Sequence, residues 1–147
     1  MAEEKIRILL AEDNDDDILM IQKAFKNVKV LNGLNVVRDG EEAMAYLRRE
    51  GKYKDAERPG LLLLDINMPK KDGWTVLKEL KADPELKSLP VIILTTSKQE
   101  EDVARSYSAG ACSFITKPVG LQAFQQLAER FELYWVLVAR LPQPHSV

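Results

Sequence analysis

Hydrophobic residues are concentrated in short runs of the chain that are rich in valine, isoleucine and leucine. The four clearest runs are residues 6–11, 34–37, 61–64 and 91–94, and residues 113–116 form a weaker fifth candidate. None of the four alternates polar with apolar positions. Each therefore predicts a strand that is buried on both faces, as in a parallel sheet.

The segments between these runs have the spacing of amphipathic helices, with apolar residues recurring about every 3.6 positions. The apolar residues form three stripes, which are Ile18, Ile21, Phe25 and Val28; Ala43, Met44 and Leu47; and Trp74, Leu77 and Leu80. Asp39 stands three residues before Glu42, as a capping residue does at a helix N-terminus. Ser97 stands in the same way before Glu100. A β–α unit repeated five times predicts a parallel sheet covered by helices on both faces.

Length and composition predict one folded domain. The chain has 147 residues, of which 46% are hydrophobic and 30% are charged, and its formal net charge is −2. This charge gives no general attraction to nucleic acid or to an anionic membrane, and no apolar run approaches the roughly 20 residues that span a bilayer. The acidic start of the chain lacks the features of a signal peptide, and the single cysteine, Cys112, excludes an internal disulfide. We expect a cytoplasmic protein without nucleic-acid or membrane partners.

Polar residues stand where the predicted strands end. Glu12 and Asp13 follow the first strand, Asp65 the third and Thr95 the fourth, and Lys117 follows the fifth. Ligand sites of open α/β sheets lie beyond the carboxyl ends of the strands, so we expect these side chains to converge. Two carboxylates about 4 Å apart repel each other by roughly 4 kcal/mol at an effective dielectric of 20, so three of them predict a bound cation. Because only oxygen ligands are present, a hard ion such as Mg²⁺ fits better than zinc.

Each of these residues also has an ordinary structural interpretation. Thr95 alone favours a strand, and Lys117 alone would be a solvated lysine. Asp15, Asp16 and Asp17 follow in the first turn of the first predicted helix, where acidic side chains stabilise the helix dipole. We expect this to be their role. The conjunction of residues at the strand ends is what favours a site.

Four groups of residues resemble, in order and spacing, the receiver domain of two-component response regulators. They are residues 9–13 (LLAED), residues 64–69 (LDINMP) with Asp72 and Gly73, residues 94–97 (LTTS), and Lys117 with Pro118. The resemblance runs from about residue 5 to residue 127. It implies a flavodoxin-like (βα)5 fold with strand order 2-1-3-4-5. The receiver domain would span residues 1–129, followed by an extension over residues 130–147 that is helical to about residue 140.

The resemblance also implies how the site works. Asp65 matches the phosphoacceptor, to which a histidine kinase transfers its phosphoryl group. Glu12 and Asp13 match the acidic pair that holds Mg²⁺ (or Mn²⁺) together with Asp65, and Asn67 matches the position whose backbone carbonyl contacts the ion. The expected protein is a phosphoacceptor that catalyses its own phosphotransfer and slow autodephosphorylation, and not a turnover enzyme.

Three further positions match the residues that respond to phosphorylation in this family. Lys117 matches the lysine that pairs with the phosphoryl oxygens. Thr95 matches the hydroxyl that moves toward the phosphoryl group, and Phe114 matches the aromatic residue whose rotamer follows that movement. These assignments are what the resemblance implies for this chain.

Other classes of protein fit the sequence less well. A phosphatase with an aspartate nucleophile needs a second aspartate at position 67, where this chain has Asn67. An EF-hand beginning at Asp13 would need glycine at Ile18 and glutamate at Ala24. No phosphate loop for a flavin follows the first strand, and the only histidine, His145, lies in a proline-rich tail. A constitutive dimeric interaction module with an unused receiver site stays open as the alternative.

The end of the chain carries a heptad-like stripe, formed by Leu121, Phe124, Ala128, Phe131, Trp135 and Val138. Residues 133–139 are apolar all round, and a helix of that kind must be buried on every side. We therefore expect a homodimer with contacts through Phe131, Tyr134, Trp135 and Val138. The alternative is that this segment folds back on its own domain.

The chain is similar in three further places to the small response regulators that pair with bacterial and cyanobacterial phytochrome kinases. These places are residues 52–60, residues 69–73 and residues 131–142. The resemblance implies a phytochrome-type sensor histidine kinase as partner. Because few residues follow Arg140, we expect a stand-alone receiver whose output is a protein–protein contact.

Overall fold

The computed structural model describes residues 6–26, 31–96, 99, 113–117, 122, 125–126 and 128–130. Strands occupy Ile6–Ala11 (β1), Leu31–Val37 (β2), Leu61–Asp65 (β3), Val91–Thr95 (β4) and Ser113–Thr116 (β5). Helices occupy Asp15–Phe25 (α1), Gly40–Leu47 (α2) and Gly73–Ala82 (α3), and a short 3-10 helix occupies Gly51–Tyr53. Residues 128–130 are also helical. No helix in the described part of the chain is both long enough and apolar enough to cross a membrane.

The five strands form one sheet in the order β2-β1-β3-β4-β5, and all four pairings are parallel. This is the fold and strand order that the sequence predicted. The order reverses between β1 and β3, and a crevice opens at such a switch point beyond the strand ends. The register brings these ends level, because Ala11 pairs with Leu64 and Asp65 pairs with Leu94.

Three strands are longer than their hydrophobic runs predicted. Strand β2 begins at Leu31 and not at Leu34, because the residues before Leu34 still pair with β1, as Arg7 does with Gly33. Strands β3 and β4 each extend by one residue, to Asp65 and Thr95. Strand pairing is made by the backbone, so it continues past the positions at which the side chains stop being apolar.

The core is divided between the two faces of the sheet. On one face, β1 and β3 residues such as Leu9 and Leu64 pack with the buried sides of α2 and α3. On the other face, the alternate residues of these strands, such as Leu10 and Leu63, pack with α1 and with Ala128. Every strand in the middle of the sheet is thus buried on both sides, which explains why its sequence does not alternate.

Side-chain caps fix where the described helices begin. Asn14, Asp39 and Asp72 accept hydrogen bonds from the backbone N–H groups of the residues three positions later, at 2.9, 2.8 and 2.9 Å. The capping role predicted for Asp39 is confirmed. Ser97 lies outside the described residues. The cap of α1 is Asn14, so the acidic residues that follow occupy the first turn itself.

The predicted dimer contacts, Phe131, Tyr134, Trp135 and Val138, lie outside the described residues, as do Cys112 and His145. One member of the C-terminal stripe is described. Ala128 is 1% exposed and belongs to the core on the α1 side of the sheet. The stripe therefore covers the receiver's own sheet at this point.

Candidate functional site

Three carboxylate side chains meet at the carboxyl ends of β1 and β3. Asp65 is the last residue of β3, and Glu12 and Asp13 follow β1. Each offers a carboxylate oxygen, and these oxygens all lie within 4.8 Å of one another. Glu12 and Asp65 are buried, whereas Asp13 is exposed. Tight backbone pairing holds the cluster in place, since the Glu12 N–H donates to the Val37 carbonyl at 3.0 Å.

The acidic cluster has the chemistry of a site for a hard divalent cation. Glu12 Oε1 and Asp65 Oδ1 are both buried. Among the described residues, the Lys117 ammonium lies within ion-pair distance of both oxygens, so one positive charge faces three carboxylates. An excess of buried negative charge favours the binding of a further cation. The donor set contains oxygen only, which suits Mg²⁺ or Mn²⁺. The residues present therefore fit the ion that the sequence predicted.

The carboxyl group of Asp65 is strongly perturbed. Burial raises its pKa, and the neighbouring Glu12 carboxylate raises it further. The positive charge of Lys117 and a hydrogen bond from the backbone of Asn67 lower it by less, so the pKa is about 7. In the metal-free protein, Asp65 is therefore protonated in a large fraction of molecules near neutral pH.

Lys117, directly after β5, places its positively charged ammonium group in the site. Its Nζ lies 2.6 Å from Glu12 Oε1, 2.9 Å from Asp17 Oδ2 and 3.4 Å from Asp65 Oδ1. Burial lowers the pKa of the Lys117 ammonium, but the hydrogen bonds to Glu12 and Asp17 and the charge of Asp65 outweigh burial and raise it above its ordinary value. Lys117 is thus a permanent positive charge that faces the buried carboxylates.

Asp17 contradicts the expectation that it only stabilises the helix dipole. Its carboxylate accepts a hydrogen bond from Lys117 Nζ, although the two residues are 100 positions apart in the chain. Asp17 lies in the first turn of α1, and the packing of this helix against the sheet brings its carboxylate within reach of Lys117. The corresponding expectation for Asp15 is incomplete too, since its carboxylate pairs with Arg38 at 2.5 Å.

Thr95 lies at the end of β4, next to β3. Asp65 pairs with Leu94, so Thr95 is one position beyond the partner of Asp65. Thr95 is fully buried. Its carbonyl accepts a hydrogen bond from the Lys117 N–H at 2.6 Å, which ties the ends of β4 and β5 together. The backbone of Phe114 lies in β5, and its side chain is outside the described part of the structure.

The loop between β3 and α3 is packed tightly against Asp65. Asn67 is exposed two residues after Asp65, and its backbone bonds to the Asp65 carboxylate. Gly73 donates to the Ile66 carbonyl at 2.9 Å. A Cβ atom on Gly73 would lie 2.5 Å from the Asp65 carbonyl oxygen, so only glycine allows this approach. The sequence identified Asp72 and Gly73 as part of a motif without showing this reason.

Comparison with known proteins identifies the family. Residues 8–129 match the family model described as the response regulator receiver domain. The chain belongs to this family. The receiver is similar to response regulator Rcp1 of Synechocystis sp., with 41% identity over 135 residues that make up 92% of each chain. It is also similar to the probable methanogenesis regulatory protein FilR2 of Methanothrix harundinacea, with 35% identity over 144 residues, 97% of this chain and 92% of the relative.

Solved receiver structures agree with the fold. The phosphorylated cyanobacterial phytochrome response regulator RcpA superposes with a TM-score of 0.81 at 48% identity, covering 95% of this chain and 99% of that one. The Mn²⁺-bound form of Rcp1 gives a TM-score of 0.79 at 40% identity, covering 94% and 99%. The family and the similarity to small phytochrome response regulators, both inferred from sequence motifs, are confirmed.

Proposed function

We propose that this protein is a phosphorylation-switched response regulator that accepts a phosphoryl group on Asp65 from a sensor histidine kinase. One observation carries the proposal: the buried Asp65 carboxylate forms one cluster with Glu12 and Asp13, and the Lys117 ammonium lies 3.4 Å from its Oδ1 atom. An arrangement that held a structural ion alone would not need a largely buried lysine directed at the same oxygen atoms.

The transfer is a displacement at phosphorus. An Asp65 carboxylate oxygen forms the new O–P bond as the P–N bond to the kinase histidine breaks, and the electron pair of that bond stays on the imidazole. The transition state is loose and highly charged, so catalysis consists of positioning and charge neutralisation. Lys117 provides one positive charge where the phosphoryl oxygens arrive.

Glu12, Asp13, Asp65 and the backbone carbonyl of Asn67 would hold Mg²⁺ or Mn²⁺. When bound, the ion supplies positive charge to the phosphoryl oxygens and to the nucleophile. The pKa of about 7 for Asp65 explains why this charge matters, because a protonated carboxyl group is a poor nucleophile. The similarity to the Mn²⁺-bound form of Rcp1 supports a divalent ion at this site.

The attached phosphoryl group switches the conformation through Thr95 and Phe114. It brings a charge of about −1.5 to −2 and three acceptor oxygens into a buried site. The Thr95 hydroxyl lies at the neighbouring strand end and is the nearby uncharged donor that such a group recruits. Phe114 follows that movement and biases the receiver toward its signalling state.

The phosphorylated protein signals by protein–protein contact and is not a turnover enzyme. Asn67 cannot act as a general acid or base, so the acyl phosphate is hydrolysed slowly. The similarity to RcpA, a cyanobacterial phytochrome response regulator, supports a phytochrome-type kinase as partner. We further propose a cytoplasmic homodimer, joined through Phe131, Tyr134, Trp135 and Val138.

Intact-mass spectrometry after incubation with acetyl phosphate tests the proposed function. We expect the wild-type protein to gain one phosphoryl group in the presence of Mg²⁺ and none in EDTA. Asp65→Asn should gain none in either condition. If the wild-type protein gains no phosphoryl group with Mg²⁺, the site is unused and the protein is a constitutive interaction module.

The kinase assignment needs a separate experiment. We expect an autophosphorylated phytochrome-type kinase to transfer its phosphoryl group to Asp65 faster than a histidine kinase of another sensor class does. The comparison uses equal concentrations of the two kinases and measures the initial rate of label transfer. Equal rates from the two kinases would contradict the phytochrome assignment and leave the receiver function intact.

A further inference from the structure

The Lys117 ammonium is surrounded by three carboxylates, and they come from three different parts of the fold. An ammonium group has three N–H donors. Its nitrogen lies 2.6 Å from Glu12, 2.9 Å from Asp17 and 3.4 Å from Asp65. The side chain is 12% exposed. Its position is therefore set by these three contacts.

Asp17 differs from the other two partners of Lys117. Glu12 and Asp65 both belong to the acidic cluster that fits a divalent cation, together with Asp13. Asp17 is not a member of that cluster and is held in the first turn of α1. A cation in the cluster would bind Glu12 and Asp65 as well. The contact of Lys117 with Asp17 does not involve the cluster.

We propose that Asp17 is a positioning residue for phosphotransfer. It anchors the Lys117 ammonium so that one N–H stays directed at the Asp65 oxygen, where the phosphoryl group attaches. This inference rests on the proposed function. It assigns a role to an acidic side chain that is not a member of the acidic cluster and that acts through Lys117.

The expected effect of losing this anchor is on the rate of transfer. Lys117 has a long and flexible side chain, so an ammonium with one contact fewer occupies more positions and spends less time in the productive one. Asp17 lies outside the cluster that contacts the phosphodonor, so the donor should bind as before. The maximal rate should therefore fall while the donor concentration for half-maximal rate stays the same.

A purely electrostatic role predicts the opposite change. Asp17 adds negative charge to a site that must accept an anionic phosphoryl group. If this charge were its main effect, removing it would weaken the repulsion and speed up the transfer. The direction of the rate change therefore distinguishes anchoring from repulsion.

The test compares Asp17→Asn with Asp16→Asn at saturating Mg²⁺ and increasing acetyl phosphate. Asp16 is exposed in the same helical turn, so its substitution removes the same charge from the same helix N-terminus. We expect Asp17→Asn to lower the maximal rate about tenfold, as loss of orientation does, and Asp16→Asn to leave it unchanged. Asp17→Glu restores the carboxylate and should recover most of the rate. Thermal unfolding of the variants shows whether each is folded.

Three results would overturn the proposal. The first is a maximal rate for Asp17→Asn within twofold of Asp16→Asn, and the second is a faster rate. The third is a change confined to the half-maximal donor concentration. In all three cases the wild-type protein still gains a phosphoryl group on Asp65, so the proposed function survives. If the wild-type protein gains none, both proposals fail together.

Discussion

Asp65 is 1% exposed, and burial beside the Glu12 carboxylate raises its pKa to about 7. In the unfolded chain, the same group ionises near pH 3.8. Between these values the folded protein keeps a proton that the unfolded chain has lost. In the metal-free protein, the contribution of Asp65 to the free energy of unfolding therefore falls as the pH rises from about 4 to 7, by at most on the order of 4 kcal/mol, and then stays low.

Asp65→Asn removes the titrating group, so the variant should not show this pH-dependent loss of stability. In EDTA at pH 8 we expect the variant to unfold at a higher temperature than the wild-type protein, because it buries a neutral amide in place of a carboxylate. At pH 5 the wild-type carboxyl group is protonated, so the difference should shrink. Thermal unfolding monitored by circular dichroism measures the difference in unfolding temperature at each pH. A difference independent of pH would show that the Asp65 carboxyl group titrates normally.

Single residues also show where sequence reasoning reached its limit. Five residues could be placed at the site because each lies at or just after the end of a strand: Glu12, Asp13, Asp65, Thr95 and Lys117. Asp17 was assigned only to the helix dipole. Its contact with Lys117 depends on the packing of α1 against the sheet and on the reach of a lysine side chain. Neither is visible in a local pattern of residues.

At the scale of elements, the buried strands were the best predicted part of the fold. Strand β1 has the predicted bounds, and β5 does as well. Strand β2 begins three residues early, since its first residues pair through the backbone without forming an apolar run. Helix α2 begins directly after the predicted cap, Asp39, whose side chain accepts a hydrogen bond from the Glu42 N–H. This start could be predicted because a cap depends only on neighbouring residues in the chain.

The junction between β3 and α3 is the element that holds the Asp65 backbone in place. We expect Gly73→Ala to destabilise the protein by about 2 kcal/mol, because the new Cβ would lie 2.5 Å from the Asp65 carbonyl oxygen and 2.7 Å from Ile66 Cα. Both contacts are with backbone atoms, which cannot move aside by changing a rotamer. Urea denaturation measures the change.

Helix propensity alone predicts that Gly73→Ala would stabilise the protein. Alanine stabilises a helix by about 1 kcal/mol relative to glycine, so a free helix end would be stabilised. Gly51→Ala is a useful comparison, since nothing lies within 4 Å of a Cβ there and only its φ of +58° is unfavourable. If Gly73→Ala were no less stable than the wild-type protein, the loop would relax easily and would not fix Asp65.

At the scale of the whole molecule, the described structure accounts for the sheet and both core faces, while the homodimer stays a prediction. The stripe that begins with Leu121 reaches the receiver's own core at Ala128. The predicted homodimer contact lies at its later positions, among them Trp135. Light scattering over a dilution series should show a dimer at micromolar concentration, and Trp135→Glu should shift it toward monomer. A wild-type monomer at that concentration would mean that the segment folds back on its own domain.

Metal binding links the site to the stability of the whole receiver. A ligand that binds only the folded state stabilises it by about 2.7 kcal/mol at 100 times its dissociation constant. For a domain of this size, that corresponds to a rise of roughly 5 to 10 °C in the unfolding temperature. We expect such a rise when Mg²⁺ is added to the wild-type protein at pH 8.

Asp13→Asn should lose most of this rise. Asp13 is the exposed member of the acidic cluster, so its substitution removes a metal ligand without altering the buried core, and the unfolding temperature in EDTA should stay close to that of the wild-type protein. Asp16→Asn removes an equal charge nearby from the first turn of α1 and should keep the full response to Mg²⁺. An equal loss in both variants would mean that the ion is attracted only by the general negative charge around α1. A loss confined to Asp13→Asn means that the Asp13 carboxylate binds the ion directly.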